Sequence, residues 1–169
     1  MTCSICYKYI NVAEEFNYKN DILTCLNCTE KLRKISVGIV GSRTLNSKKH
    51  FKYMKKYIDG LIVIEKFINV YEIKQIISGG CPEGGDRFAK KYAKYLDIPI
   101  FNYFADWNKY GKSAGAIRNK DIVKNSDKFI VFWDSQSKGT KITIDMIIKS
   151  EKELHLKLLP KEEELLEFI

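Results

Sequence analysis

Ser36-Val37-Gly38-Ile39-Val40-Gly41-Ser42-Arg43 is a short apolar run that stops on glycine, serine and arginine. Such a run reads as a strand buried on both faces, the kind found in parallel sheets covered by helices. Working outward, Phe51, Met54, Ile58 and Leu61 recur at steps of three and four and predict a helix, which Gly60 weakens in its second half. A second strand is expected at 71–78. Phe88, Ala89, Tyr92, Ala93 and Leu96 then mark another helix, closed by Asp97-Ile98-Pro99. The pattern continues with a strand at 100–104, a loop carrying Trp107 and Tyr110, a helix near 116–124 and a strongly apolar strand at 128–133. A helix at 141–154, a fifth strand at 156–159 and a terminal helix at 161–168 complete it. Strands alternating with helices predict an α/β domain with a mostly parallel sheet and helices on both faces.

The first 34 residues read differently. They hold four of the five cysteines and little apolar periodicity, so the domain boundary falls near Lys34, with 1–34 as an appendage to a domain at 35–169. Cys3-x-x-Cys6 and Cys25-x-x-Cys28, eighteen residues apart, match a double knuckle that sets four thiolates around one Zn²⁺. Four cysteines leave no open coordination position, so the zinc is expected to be structural. A piece this short cannot build an adequate core alone, and the metal would supply much of its folding energy. The segment resembles a treble-clef zinc finger, with a helix expected after Thr29. Cys81 stands apart as a non-ligand loop residue.

Composition narrows the function classes. With 45% hydrophobic and 30% charged residues the chain has a globular balance. No apolar run approaches the ~18 residues needed to span a bilayer, and the start lacks a basic region followed by an apolar one, so a cytoplasmic protein without a membrane partner is expected. The net charge of +8 keeps nucleic acid open as a partner, although 25 of the 29 basic residues are lysine, as AT-rich coding would produce. Self-association is also left open.

Four loops at four expected strand ends carry the chemistry. They are Gly41-Ser42-Arg43; Ser78-Gly79-Gly80-Cys81-Pro82-Glu83-Gly84-Gly85-Asp86-Arg87; Asp106-Trp107 through Lys112, Gly115, Arg118 and Asn119; and Asp134 through Ser137, Gly139 and Thr140. In a parallel α/β sheet such loops line one crevice, where helix N-termini offer N–H groups to anions. Three of the four arginines, Arg43, Arg87 and Arg118, fall in these loops. Guanidinium forks bind phosphate in a bidentate manner or lock a loop through a carboxylate such as Asp86. Trp107 could stack on a base or belong to the core.

Together these motifs resemble the YspA-like branch of the SLOG superfamily over about residues 36–150: Gly-Ser-Arg, Ser-Gly-Gly-x(4)-Gly-Asp-Arg, Asp-Trp-x-x-Tyr-Gly-Lys-x-Ala-Gly-x-x-Arg-Asn and Phe-Trp-Asp-x-x-Ser-x-Gly-Thr. The resemblance implies a Rossmann-like fold that senses or sequesters a nucleotide-derived ligand, such as an ADP-ribose, NAD-derived or cyclic-nucleotide signal. Bacterial immunity or phage counter-defence is the implied setting. Phosphoribohydrolase relatives carry a glutamate after their Gly-Thr step, and here that position holds Thr143. Asp86, Asp106 or Asp134 could stand in, since N-glycosidic cleavage needs a carboxylate. Binding is therefore the first expectation, a phosphoribohydrolase-like enzyme the second, and a zinc-finger nucleic-acid adaptor the third. Neither His50 nor His155 is expected at the site.

Overall fold

The computed structural model describes residues 35–63 and 72–160, and the backbone of 16–19 and 22–25. Strands β1 (Phe16–Lys19) and β2 (Ile22–Cys25) form an antiparallel hairpin, with Phe16 opposite Cys25. Cys3, Cys6 and Cys28, the helix expected after Thr29 and the terminal helix expected at 161–168 lie outside the described residues.

The larger unit is a Rossmann-like α/β sheet of five parallel strands: β3 (Ile35–Gly41), β4 (Ile73–Ser78), β5 (Ile100–Asn102), β6 (Lys128–Trp133) and β7 (Glu153–Leu158). Their order is β5-β4-β3-β6-β7. The chain steps from β3 outward through β4 to β5, then crosses back to lay β6 on the other side of β3. Loops leaving β3 and β6 therefore part in opposite directions, which opens a crevice at the carboxyl ends of those two strands.

Alternation along the central strands builds two cores. Val37, Ile39, Ile76, Ile130 and Phe132 face α1 (Lys48–Val63) and α2 (Gly84–Leu96), meeting Met54, Ile58 and Leu61 from one helix and Phe88, Ala89, Tyr92 and Ala93 from the other. Val40, Ile77, Phe129 and Val131 face the opposite way, toward Ile122 and Val123 of α4 (Ala114–Asn125) and Ile144 and Ile147 of α5 (Lys138–Lys149). Gly60 does not interrupt α1, because the apolar stripe on either side of it is buried against the sheet.

Three expectations are corrected. The segment after β5 is not a plain loop: α3 (Trp107–Tyr110) and a 3₁₀ turn (Gly111–Ser113) lead directly into α4 (Ala114–Asn125), two residues earlier than expected. The third strand stops at Asn102. The last helix, α5, spans Lys138–Lys149 and does not reach Leu154. Ser150 closes its carbonyls and Glu151 takes a left-handed φ of 54°. Leu154 belongs to β7 and reaches the second core through strand alternation, so one apolar residue had served two periodicities. Among the described residues, no helix is long and apolar enough to cross a membrane.

Candidate functional site

A cavity of about 570 Å³ opens at the crevice between β3 and β6. Of the residues expected from sequence, Gly41, Arg43, Asp86, Trp107, Lys112, Gly115, Arg118, Asn119, Asp134, Ser137, Gly139 and Thr140 line it. The four loops do converge, and they divide into parts that are bound to each other and parts that face the cavity unengaged.

The first bound part is centred on Asp86, buried at the start of α2. Its Oδ1 accepts from Ser78 Oγ at 3.1 Å, while Oδ2 accepts from the Cys81 N–H at 3.1 Å and from Arg118 Nη1 at 3.2 Å. Arg118 fits there because Gly79 has no side chain: a Cβ on Gly79 would lie 1.2 Å from Nη1. Arg118 is thus the arginine that locks a loop through Asp86, joining α4 to the β4 loop. Its Nε is buried and has no hydrogen-bond partner among the described residues, so one edge of the fork is spent on the latch and part of the other remains unsatisfied.

The second bound part is centred on Asp134. Oδ1 accepts from Ser42 Oγ at 2.9 Å and from the N–H groups of Gln136 and Ser137 at 3.0 and 2.8 Å, and Oδ2 accepts from Thr44 Oγ1. Burial pushes this carboxyl's pKa up, but the hydrogen bonds from Thr44, Ser137, Gln136 and Ser42 outweigh it and hold the group below the ordinary carboxylate value. Asp134 is therefore a fixed anion tying the β3 loop to the β6 loop. It also positions Ser137, whose Oγ accepts from the Thr140 N–H and Thr140 Oγ1 as the N-cap of α5.

Thr143 is buried in the protein and is among the residues lining the cavity. Asn119 Nδ2 donates to its Oγ1 at 2.7 Å, and that hydroxyl donates to the Gly139 carbonyl. Asp106 caps α3 through the Lys109 N–H and does not line the cavity.

Six expected ligand residues do not line the cavity. Ser42 is buried and acts through Asp134. Gly79 makes room for Arg118, and the space beside Gly80, whose φ is +69°, is filled by Phe104. Gly84 and Gly85 press against the β3 loop: a Cβ on Gly84 would meet Ser42 O at 2.1 Å and one on Gly85 would meet Gly41 N at 2.3 Å. Arg87 points to the other side of α2, where Nη1 donates to Asn46 Oδ1 and the guanidinium lies 5.4 Å from the Phe51 ring centre. Contacts within the protein account for all six.

The groups left facing the cavity are few. Arg43, Lys112 and Glu83 line it with side chains that have no partner among the described residues. Trp107 is 52% exposed and Ile142 43% exposed, giving two apolar walls. Gly139, in the first turn of α5, has nothing within 4 Å of the place where a Cβ would stand. Glu83 and Ile142 escaped the sequence reading. For Glu83 a signal existed: it occupies the N-cap of α2 without capping through its side chain, where a short hydroxyl or Asp would serve better. Ile142 lies on the outward side of an ordinary helical pattern and gave none.

The architecture is shared with a solved structure. The chain matches the X-ray structure of DNA processing protein A (DprA) from Streptococcus pneumoniae with a TM-score of 0.57 and 18% sequence identity, over 80% of this chain and 62% of that one. The likeness establishes the Rossmann-like fold. No family model and no curated protein matches the chain.

Proposed function

We propose that this chain binds a phosphate-bearing, nucleotide-derived ligand in the cavity between β3 and β6, acting as a sensor or sequestering protein. One observation carries the reading: the N-terminus of α5 opens onto the cavity at Gly139, where the lack of a side chain meets no need of the protein itself. Unpaired N–H groups at a helix start attract anions, and a missing Cβ lets an oxygen approach them. Arg43 and Lys112 add donors of matching charge, and Arg118 lines the same cavity. The exposed face of Trp107 is suited to a flat base, and the cavity volume lies in the small-molecule range of ~300–1,000 Å³. The SLOG-like motifs supply the ligand class: ADP-ribose, another NAD-derived species or a cyclic nucleotide.

Binding without cleavage is favoured because Asp86 and Asp134, the lining carboxylates expected from the motifs, are occupied. Asp86 and Asp134 each hold three or more donors, and Thr143 offers a hydroxyl. A phosphoribohydrolase-like reading rests on Glu83, the lining carboxylate without a partner. Thermal shift with ADP-ribose, AMP and 3′,5′-cyclic AMP, together with chromatography for free base, separates the two. Stabilisation without base release is expected, since selective binding raises the melting temperature by mass action. Base release abolished by Glu83→Gln would transfer the chain to the enzymes, and no shift with any probe would remove the ligand reading. Arg118→Ala is expected to weaken the stabilising probe by about 1.5–3 kcal/mol, as for a charge-assisted hydrogen bond, and unchanged affinity in calorimetry would take Arg118 out of the site.

We also propose that Cys3, Cys6, Cys25 and Cys28 hold a structural Zn²⁺. Four thiolates in two Cys-x-x-Cys pairs fit a closed tetrahedral site, and Cys25 ends a strand of the β1–β2 hairpin, where a knuckle would begin. Elemental analysis should find one zinc per chain, lost in Cys25→Ser; metal-free protein as purified would refute the assignment.

A further inference from the structure

The outer surface of the α1–α2 layer carries a charge distribution that the cavity does not use. On α1, Lys48, Lys49, Lys52 and Lys56 are exposed and recur at helical steps, forming one stripe. On α2, Lys90, Lys91 and Lys94 are exposed and continue the line begun by Arg87. The two stripes meet over shared aromatic rings. Arg87 and Lys91 lie 5.4 and 4.5 Å from the Phe51 ring centre, and Lys55 Nζ lies 4.1 Å from that of Tyr95.

Acidic groups do not offset this charge. These two helices contain Asp59 and Asp86 as their acids. Asp86 faces the cavity side and Arg118, while Asp59 already accepts from Lys55 Nζ and Tyr92 OH. Lys48 and Lys52, Lys52 and Lys56, Arg87 and Lys91, and Lys90 and Lys94 are like charges four residues apart, an arrangement that destabilises a helix. The core does not depend on it, because the apolar faces of both helices are already seated on the sheet. On the opposite layer of the same lysine-rich chain, α4 and α5 carry six basic and two acidic residues, against nine basic and two acidic on α1 and α2.

A stripe from Lys49 to Lys56 extends about 10 Å along the helix axis, with a second stripe beside it. That geometry matches a partner bearing repeated anions, more than one small molecule can supply. An anionic membrane would also attract lysine, but surface-bound helices insert an apolar face, and among the described residues of α1 and α2 Tyr95 is the one large exposed hydrophobic side chain. We propose that the α1–α2 layer is a sequence-independent binding surface for a polynucleotide backbone, centred on Lys52, Lys56, Lys91 and Lys94. The assignment is independent of the ligand reading of the cavity.

Fluorescence anisotropy of a labelled oligo(dT) of roughly 30 nucleotides with the full chain tests it, in salt from about 50 to 200 mM. Saturable binding at the lower salt and steep weakening at the higher are expected. Lys52→Glu combined with Lys91→Glu should weaken binding at least about tenfold and flatten the salt dependence, while Lys120→Glu combined with Lys149→Glu on the α4–α5 layer, an equal change in net charge, stays within about threefold. All four positions are exposed, and circular dichroism checks that both variants fold. Absence of saturable binding at the lower salt overturns the proposal. So does equal loss in both double variants, or binding to phosphatidylserine vesicles in place of the oligonucleotide.

Discussion

Glycines occupy two sides of the candidate site for opposite reasons. On the β3–α2 side, Gly41 and Gly85 bring two backbones together: a Cβ on Gly85 would stand 2.3 Å from Gly41 N and 2.5 Å from Gly41 Cα. On the α5 side, Gly139 touches nothing. The first glycines let the protein pack against itself, and the last leaves room for something else. The same residue type thus marks a structural seam on one wall and an opening on the other, and only the neighbours of the absent side chain separate the two.

Gly85→Ala is the most severe way to test the seam. The clashing atoms are backbone and cannot swing aside, so α2 would have to move off β3, taking Asp86 away from Ser78 and Arg118. Overpacking of this kind costs about 3 kcal/mol or more. Chemical denaturation should show a loss of at least that size or a chain that fails to fold. A loss below about 1 kcal/mol would mean that the seam is loose and that Gly85 too is free for a ligand.

Asp134→Asn tests the link between the two walls, because this carboxylate joins Ser42 and Thr44 on the seam side to the α5 cap. Charged acceptors are stronger than neutral ones, so at neutral pH the variant should be less stable by about 1–2 kcal/mol, allowing for partial exposure. The sign of the pH effect follows from the depressed pKa of the folded form. The stabilisation is fully present above the unfolded carboxyl value, about 3.9, and is lost as pH falls through the lower folded value. Wild type and variant should therefore differ at pH 7 and converge in acid. Parallel acid-denaturation curves would show that the ionised form of Asp134 contributes nothing.

The sequence made the sheet legible where residues had only one use. Val37, Ile39 and Val40, and Phe129 through Phe132, are apolar on both parities and could only be buried strands. Leu154 satisfies a helical step and a strand step equally, and Ser150 and Glu151 carry no strong stop signal, so the helical pattern runs on past the end of α5. At the site, the strand-end loops could be recognised as converging because topology forces them together. Which arginine faces the cavity could not: Arg87 and Arg118 both follow glycine-containing loops, and what separates them is the direction each leaves its helix, toward Phe51 in one case and toward Asp86 in the other. Glycine presented the same ambiguity, since Gly85 and Gly139 look alike until their surroundings are known.

Gly139→Ala has the smallest expected effect on the protein and bears most directly on the comparison. No atom lies within reach of the added methyl group, and alanine loses less backbone freedom than glycine in a helix, so stability should be unchanged or rise by up to about 1 kcal/mol. If an anion sits on the first turn of α5, however, the methyl group stands between it and the N–H groups that hold it. The probe that stabilises the wild type should then bind at least about tenfold more weakly, a difference of about 1.4 kcal/mol. Stability kept and affinity lost is the combination that a ligand-facing glycine alone produces. Stability and affinity both kept would show that the space beside Gly139 is merely solvent, and the α5 wall would no longer differ in kind from any exposed helix start.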